Sequence, residues 1–131
     1  MIFLIDHNLE GHAILLLGAI ASQGWLESLP IEFVTFTQIL LPVDSSDRVV
    51  WRLAQKRQMV LLTANRSMKG KDSLEQVIRE ESTPTSLPVV TIGNADRLFN
   101  DAKYRDRCVE SLVDIVLSID IYKGTRRVFI P

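Results

Sequence analysis

Three apolar runs dictate most of what this chain can become: "MIFLI" (1–5), "MVLLT" (59–63) and "PVVTIG" (88–93). None contains a charged residue, and none alternates apolar with polar side chains. Continuous runs of this kind mark strands covered on both faces, as in a parallel sheet sandwiched between helices. Between them lie segments with apolar residues at helical spacing. Leu9, Ala13, Leu16, Leu17 and Ile20 lead toward Trp25, with Asn8 as the expected N-cap and Pro30 as the stop. "DSSDRVVWRLAQKRQ" opens with capping residues and sets Val49, Val50, Leu53 and Ala54 on one face. Lys71–Glu81 predicts a short helix starting near Asp72 or Ser73, with Leu74, Val77 and Ile78 inward. One long helix is predicted from about Tyr104 to Tyr122, with Val109, Leu112, Val113, Val116 and Ile119 as its buried stripe. "IEFVTF" (31–36) adds a strand, "STPTSLP" is turn chemistry, and "RVFI" (127–130) reads as an edge strand. Alternation of strand and helix almost without exception predicts a three-layer α/β sandwich: a mainly parallel sheet of four to five strands, helices on both faces and right-handed crossovers.

At 131 residues the chain is expected to form a single domain spanning 1–131. Its 15 basic and 16 acidic side chains leave a net charge of −1, so no global field points to a nucleic acid or a membrane, and any such contact needs a local patch. The lone Cys108 excludes an internal disulfide and suits a reducing cytosol. The longest uncharged apolar stretch, Ala13–Leu26, is interrupted by Gly18, Ser22, Gln23 and Gly24 and is too short and polar to span a bilayer. With no basic segment ahead of a long apolar one, no signal peptide is read, and a cytoplasmic location is expected.

Ligands of open α/β sheets bind beyond the carboxyl ends of the strands. Asp6, Asn65 with Arg66, and Asn94 with Asp96 directly follow apolar runs, so they are expected along one edge. No phosphate-binding glycine loop of the G-x-x-x-x-G-K-S/T or G-x-G-x-x-G type follows a strand, no G-x-S-x-G elbow is present, and no Cys/His spacing suits zinc. What remains is a set of carboxylates and amides suited to a hard divalent cation. Mg²⁺ prefers oxygen ligands and commonly needs one or two protein carboxylates beside substrate phosphates. Asp6 is the best-placed acid. Asp47, at the start of the second helix, is the next, with Asp44 as a nearby competitor.

"FLIDHNL" (3–9) and "SSDRVVWRLAQKRQMVLLTANR" (45–66) together resemble the PIN-like domains, in particular the small subgroup related to the ribonuclease toxins of bacterial toxin–antitoxin pairs. That subgroup carries an acid after the first strand in a D-x-N-L setting, a helix beginning S-D, and a strand ending in apolar-apolar-T-x-D. The likeness covers about Met1 to Ser67, and the rest only by order of elements. It implies a metal-dependent (Mg²⁺ or Mn²⁺) endoribonuclease, with Asp6 and Asp47 as catalytic and metal-holding acids and Asn65 at the third catalytic position. There the chain departs from the pattern, since an amide stands where the family has an acid. Asp72 or Asp96 could replace it as a metal ligand. The resemblance also implies RNA as substrate and an antitoxin-like protein or a second copy of the chain as partner. Arg66, Lys69 and Lys71 are the candidate phosphate contacts.

Each feature has a plainer reading. Asp6 and Asp47 suit helix N-termini, Asn65 and "GNAD" (93–96) suit turns, and the basic loop suits a solvated surface. His7 and His12 lack an obvious catalytic partner, and Trp25, Trp51 and Cys108 suit the core or an interface. Two alternatives to a nuclease follow: a catalytically degenerate PIN-like binding or regulatory module, marked by Asn65, or an unrelated small α/β enzyme using the same edge. Apart from Lys69, Lys71 and Asp72, no role is assigned to the segment 68–88.

Overall fold

Five strands, β1 (Ile2–Ile5), β2 (Glu32–Val34), β3 (Met59–Thr63), β4 (Val89–Ile92) and β5 (Arg127–Ile130), form one wholly parallel sheet in a computed structural model. It describes residues 1–66, 70 and 72–131. The strand order is β2-β1-β3-β4-β5. β3 and β4 are buried at every position, as their unbroken apolar runs require, whereas β2 at the opposite edge is short and partly exposed.

Successive side chains of β1, β3 and β4 enter two separate cores. Phe3, Ile5, Val60, Leu62, Val90 and Ile92 pack beneath α1 (Glu10–Ser22) and α6 (Ala102–Leu117). Leu4, Met59, Leu61 and Val89 pack beneath α3 (Asp47–Lys56) and α4 (Leu74–Glu81). This is the three-layer sandwich. Short helices α2 (Trp25–Ser28), α5 (Arg97–Asn100) and α7 (Ile119–Tyr122) complete the connections.

One connection departs from uniform right-handed crossovers. The β3–β4 and β4–β5 connections step the same way across the sheet, yet α4 crosses one face and α6 the other, so their hands are opposite. The β1–β2 and β2–β3 connections share the hand of β3–β4, leaving β4–β5 as the exception. Coverage of the sheet explains it. α1 lies on the same face as α6 and packs beside it, and without α6 that side of Val60, Leu62, Val90 and Ile92 would face water.

Helix starts follow the sequence closely at α3 and α4. The Ser46 hydroxyl accepts from the Val49 N–H and the Ser73 hydroxyl accepts from the Gln76 N–H, each a side-chain N-cap. Leu74, Val77 and Ile78 point inward as expected, whereas on α3 Trp51 is buried and Val49 is exposed. Asn8 caps nothing; it lies within a 3-10 turn (His7–Leu9) that precedes α1. The predicted long C-terminal helix breaks at Ser118, whose N–H still bonds to the Asp114 carbonyl before the chain re-enters α7. Val116 and Ile119 pack on the core across the break, so apolar spacing carries no sign of it. Among the described residues, no helix is long and apolar enough to cross a membrane.

Candidate functional site

From β1 the chain moves to β2 on one side and then returns to place β3 on the other, so the direction of travel reverses between the carboxyl ends of β1 and β3. Such a switch point opens a crevice. A cavity of about 690 Å³ lies there, with Asp6, Asp47, Asn65, Arg66, His12 and Asp96 among its lining residues.

Asp6 reaches the cavity because its N–H donates to the Leu62 carbonyl (2.9 Å), extending the β1–β3 pairing by one residue before the chain turns. It heads the 3-10 turn, yet its carboxylate makes no cap hydrogen bond. Instead Asp6 Oδ2 accepts from the Thr63 hydroxyl at 2.6 Å, and that same hydroxyl oxygen accepts from the Asn65 N–H at 2.9 Å. Thr63 is fully buried, so the strand's final residue ties the two loop residues together inside the protein.

Asp47 is likewise released from capping, because Ser46 performs that task for α3. Its Oδ2 accepts from Asn65 Nδ2 (3.1 Å) and from the Leu74 N–H (3.0 Å). Burial pushes the Asp47 carboxyl pKa above the ordinary carboxylate value, and the charge of Asp6 pushes the same way. The hydrogen bonds from Leu74 and Asn65, together with the charge of Arg127, pull it back. Asp6 and Asp47, far apart in sequence, are therefore close enough to repel, and Asn65 meets Asp47 directly and Asp6 through the Thr63 hydroxyl.

Behind Asn65 stands Arg127, the first residue of β5. Its Nη1 donates to the Asn65 carbonyl (2.8 Å) and the Thr91 hydroxyl (2.7 Å), while Nε and Nη2 donate to Glu75 Oε2 (3.2 and 3.0 Å). Only a tenth of the Arg127 side chain is exposed, so the fork holds the β3 loop, β4 and α4 together from within.

Other candidates are placed differently. Asp96 lines the rim, is almost wholly exposed and pairs with His12 Nε2 at 3.1 Å. His12 also packs against the Phe99 ring, with centroids 4.5 Å apart. Asp72 is drawn away: it accepts from Arg48 Nε at 2.8 Å, within an ion-pair network in which Arg48 also meets Glu80 and Glu81. Neither Asp72 nor Asp44 lines the cavity. Arg66 is exposed at the cavity, while Lys69 and Lys71 lie outside the described residues. His7 also lines it, its ring tilted against Phe36. Asn94 is held by Tyr104, whose hydroxyl accepts from the Asn94 N–H (2.7 Å) and donates to the Pro131 carbonyl (2.8 Å). Cys108 and Trp51 are core residues.

No family model, curated protein or solved structure matches this chain. Its chemistry must therefore be argued from the side chains themselves. Among the described residues no group of three or more His, Cys, Asp or Glu side chains forms a metal cage. Two carboxylates do share the cavity, and each commits only its Oδ2 to the hydrogen bonds above. That donor set fits Mg²⁺ or Mn²⁺ in the mode that keeps waters and uses one or two carboxylates beside a ligand phosphate. It does not fit a closed structural site with four protein ligands.

Thr63 and Arg127 are the site residues that sequence reasoning gave no role. Thr63 carried a faint signal, as the only polar residue ending a fully apolar run. Arg127 carried none, because a basic residue opening an edge strand looks like any solvated charge.

Proposed function

We propose that the chain is a PIN-like, metal-dependent ribonuclease-type domain that cleaves RNA phosphodiesters at the β1/β3 crevice. The observation that carries this reading is the meeting of Asp6 and Asp47 at one cavity, neither of them capping the helix it opens. Asp6 and Asp47 would hold Mg²⁺ or Mn²⁺, which when bound supplies positive charge to orient water and to offset charge developing on the phosphate. Thr63 fixes the Asp6 carboxylate, and Asn65 with the Leu74 N–H fixes that of Asp47, so both acids are oriented before a ligand arrives. Arg66, exposed at the cavity, would contact the RNA backbone. The partners implied by the resemblance, an antitoxin-like protein or a second copy, find support in α1, which is apolar around its circumference and leaves Ile14 72% exposed.

Degradation of a labelled single-stranded RNA with Mg²⁺ or Mn²⁺ tests the proposal, comparing the wild type with Asp6→Asn. Cleavage by the wild type that the substitution abolishes is the expected result. RNA left intact by both proteins with either metal refutes catalysis. One observation favours a second reading, a binding module that has lost its chemistry. Asn65 turns a donor toward Asp47, where a third acid would need a cation to offset the repulsion. Under that reading the protein binds RNA unchanged, with or without metal.

A further inference from the structure

Asn65 does more than occupy the place of an acid. Its Nδ2 donates to Asp47 Oδ2, beside the bond from the Leu74 N–H, so that oxygen already accepts two protein hydrogen bonds. On the other acid, Asp6 Oδ2 is satisfied by Thr63. Arg127 reaches the Asn65 backbone from behind, and its positive charge acts on Asp47. The cavity thus presents two carboxylates, each half engaged, with an amide between them and a guanidinium nearby. Cation affinity of oxygen sites is set by the number of charged ligands and the rigidity of the site. Here the site is rigid and short of one negative charge.

We infer that Asn65 prevents the Asp6–Asp47 pair from retaining a divalent cation by itself, so that the cation is taken up together with an RNA phosphate, which supplies the missing anionic oxygen. This rests on the reading that the cavity accepts a phosphodiester. The chemistry agrees with the surroundings: the cavity is large enough for a phosphate with its flanking sugars, and Arg66 at its wall suits an anion rather than a cation. Binding of metal and of RNA is then mutually dependent, each raising the affinity for the other by the same factor.

Binding rather than turnover tests this. Mn²⁺ alone is titrated into the protein and followed by the electron paramagnetic resonance of the free ion, then again with a short phosphorothioate-linked RNA, which a metal-held water hydrolyses slowly and whose integrity is checked by gel electrophoresis. Anisotropy of the same labelled oligonucleotide is measured with and without Mn²⁺. The expected result is a tightening on the order of 10-fold or more in both directions, within the usual span of coupled binding. Asn65→Asp is expected to bind Mn²⁺ alone at least about tenfold more tightly than the wild type and to lose most of the coupling. Circular dichroism of the variant checks its fold, and the wild-type arms stand without it. Mn²⁺ binding to the wild type that is equally tight with and without the oligonucleotide overturns the inference while leaving the nuclease reading intact. Oligonucleotide binding indifferent to Mn²⁺ overturns it in favour of the binding module. Failure of the oligonucleotide to bind under any condition overturns both.

Discussion

Replacing Thr63 by valine removes one hydroxyl and little else, because the two side chains are nearly equal in volume and Thr63 has no exposed surface. That oxygen donates to Asp6 at 2.6 Å and accepts from the Asn65 N–H at 2.9 Å. A hydrogen bond to a charged partner contributes about 1.5–3 kcal/mol, and leaving a buried N–H without a partner costs about 1–3 kcal/mol. Asp6 is only partly buried, and water can replace part of what it loses. The sum to expect is therefore near the lower end, roughly 3 kcal/mol. With a urea dependence of about 1–3 kcal/mol per molar for a domain of this size, the unfolding midpoint falls by roughly 1–3 M. Thr63→Ser retains both hydrogen bonds and deletes one methyl, so its loss is about 1 kcal/mol. A double-mutant cycle with Asp6→Asn isolates the charged bond, whose coupling is expected at 1 kcal/mol or more, within the range of about 0.5–3 kcal/mol seen for contacting residues. A Thr63→Val loss below about 0.5 kcal/mol, the scale of an ordinary surface substitution, would refute the claim that this hydroxyl braces the two loop residues of the site.

Asp47→Asn keeps an oxygen to accept from Asn65 and Leu74 while removing a charge that burial disfavours. Since the folded carboxyl pKa is raised, its contribution to stability is fully present below the ordinary carboxylate pKa and is lost as pH rises through the folded value. The variant should therefore melt higher than the wild type at neutral pH and lose that advantage in acid; an equal gain at all pH values would contradict the assignment. A methyl placed on Gly93 would run into the Pro131 oxygen, which the Gly93 N–H and the Tyr104 hydroxyl hold in place. Gly93→Ala is expected to cost about 1–3 kcal/mol by overpacking, and urea denaturation indistinguishable from wild type would argue against the close β4–β5 approach. Burial holds the Cys108 thiol at a pKa pushed up to about 11. A chromogenic disulfide should label it only as the protein unfolds, and rapid labelling in native buffer would show that the α6 core opens readily.

The residues themselves determined the layer architecture, because a continuous apolar run such as "MVLLT" can be satisfied only by cover on both faces, and helical spacing in the flanking segments supplies that cover. They also placed Asp6, Asn65 and Asn94 on the carboxyl edge, since each lies within two residues of the end of a strand of one parallel sheet. Periodicity says nothing about hand or partner. The reversed β4–β5 crossover arises from the need to cover the sheet face beside α1, a demand created only when all five strands are assembled. The same holds at the site: Asp72 stood as a substitute for the missing third acid, but Arg48 draws it into an ion-pair network, while the Leu74 N–H and Asn65 hold Asp47 at the cavity. Arg127 reaches Asn65 across 62 positions of sequence. Local patterning indicates which face most residues take within their own element, whereas the partners of Asp47, Asp72 and Arg127 lie on elements distant in the chain, and packing decides them.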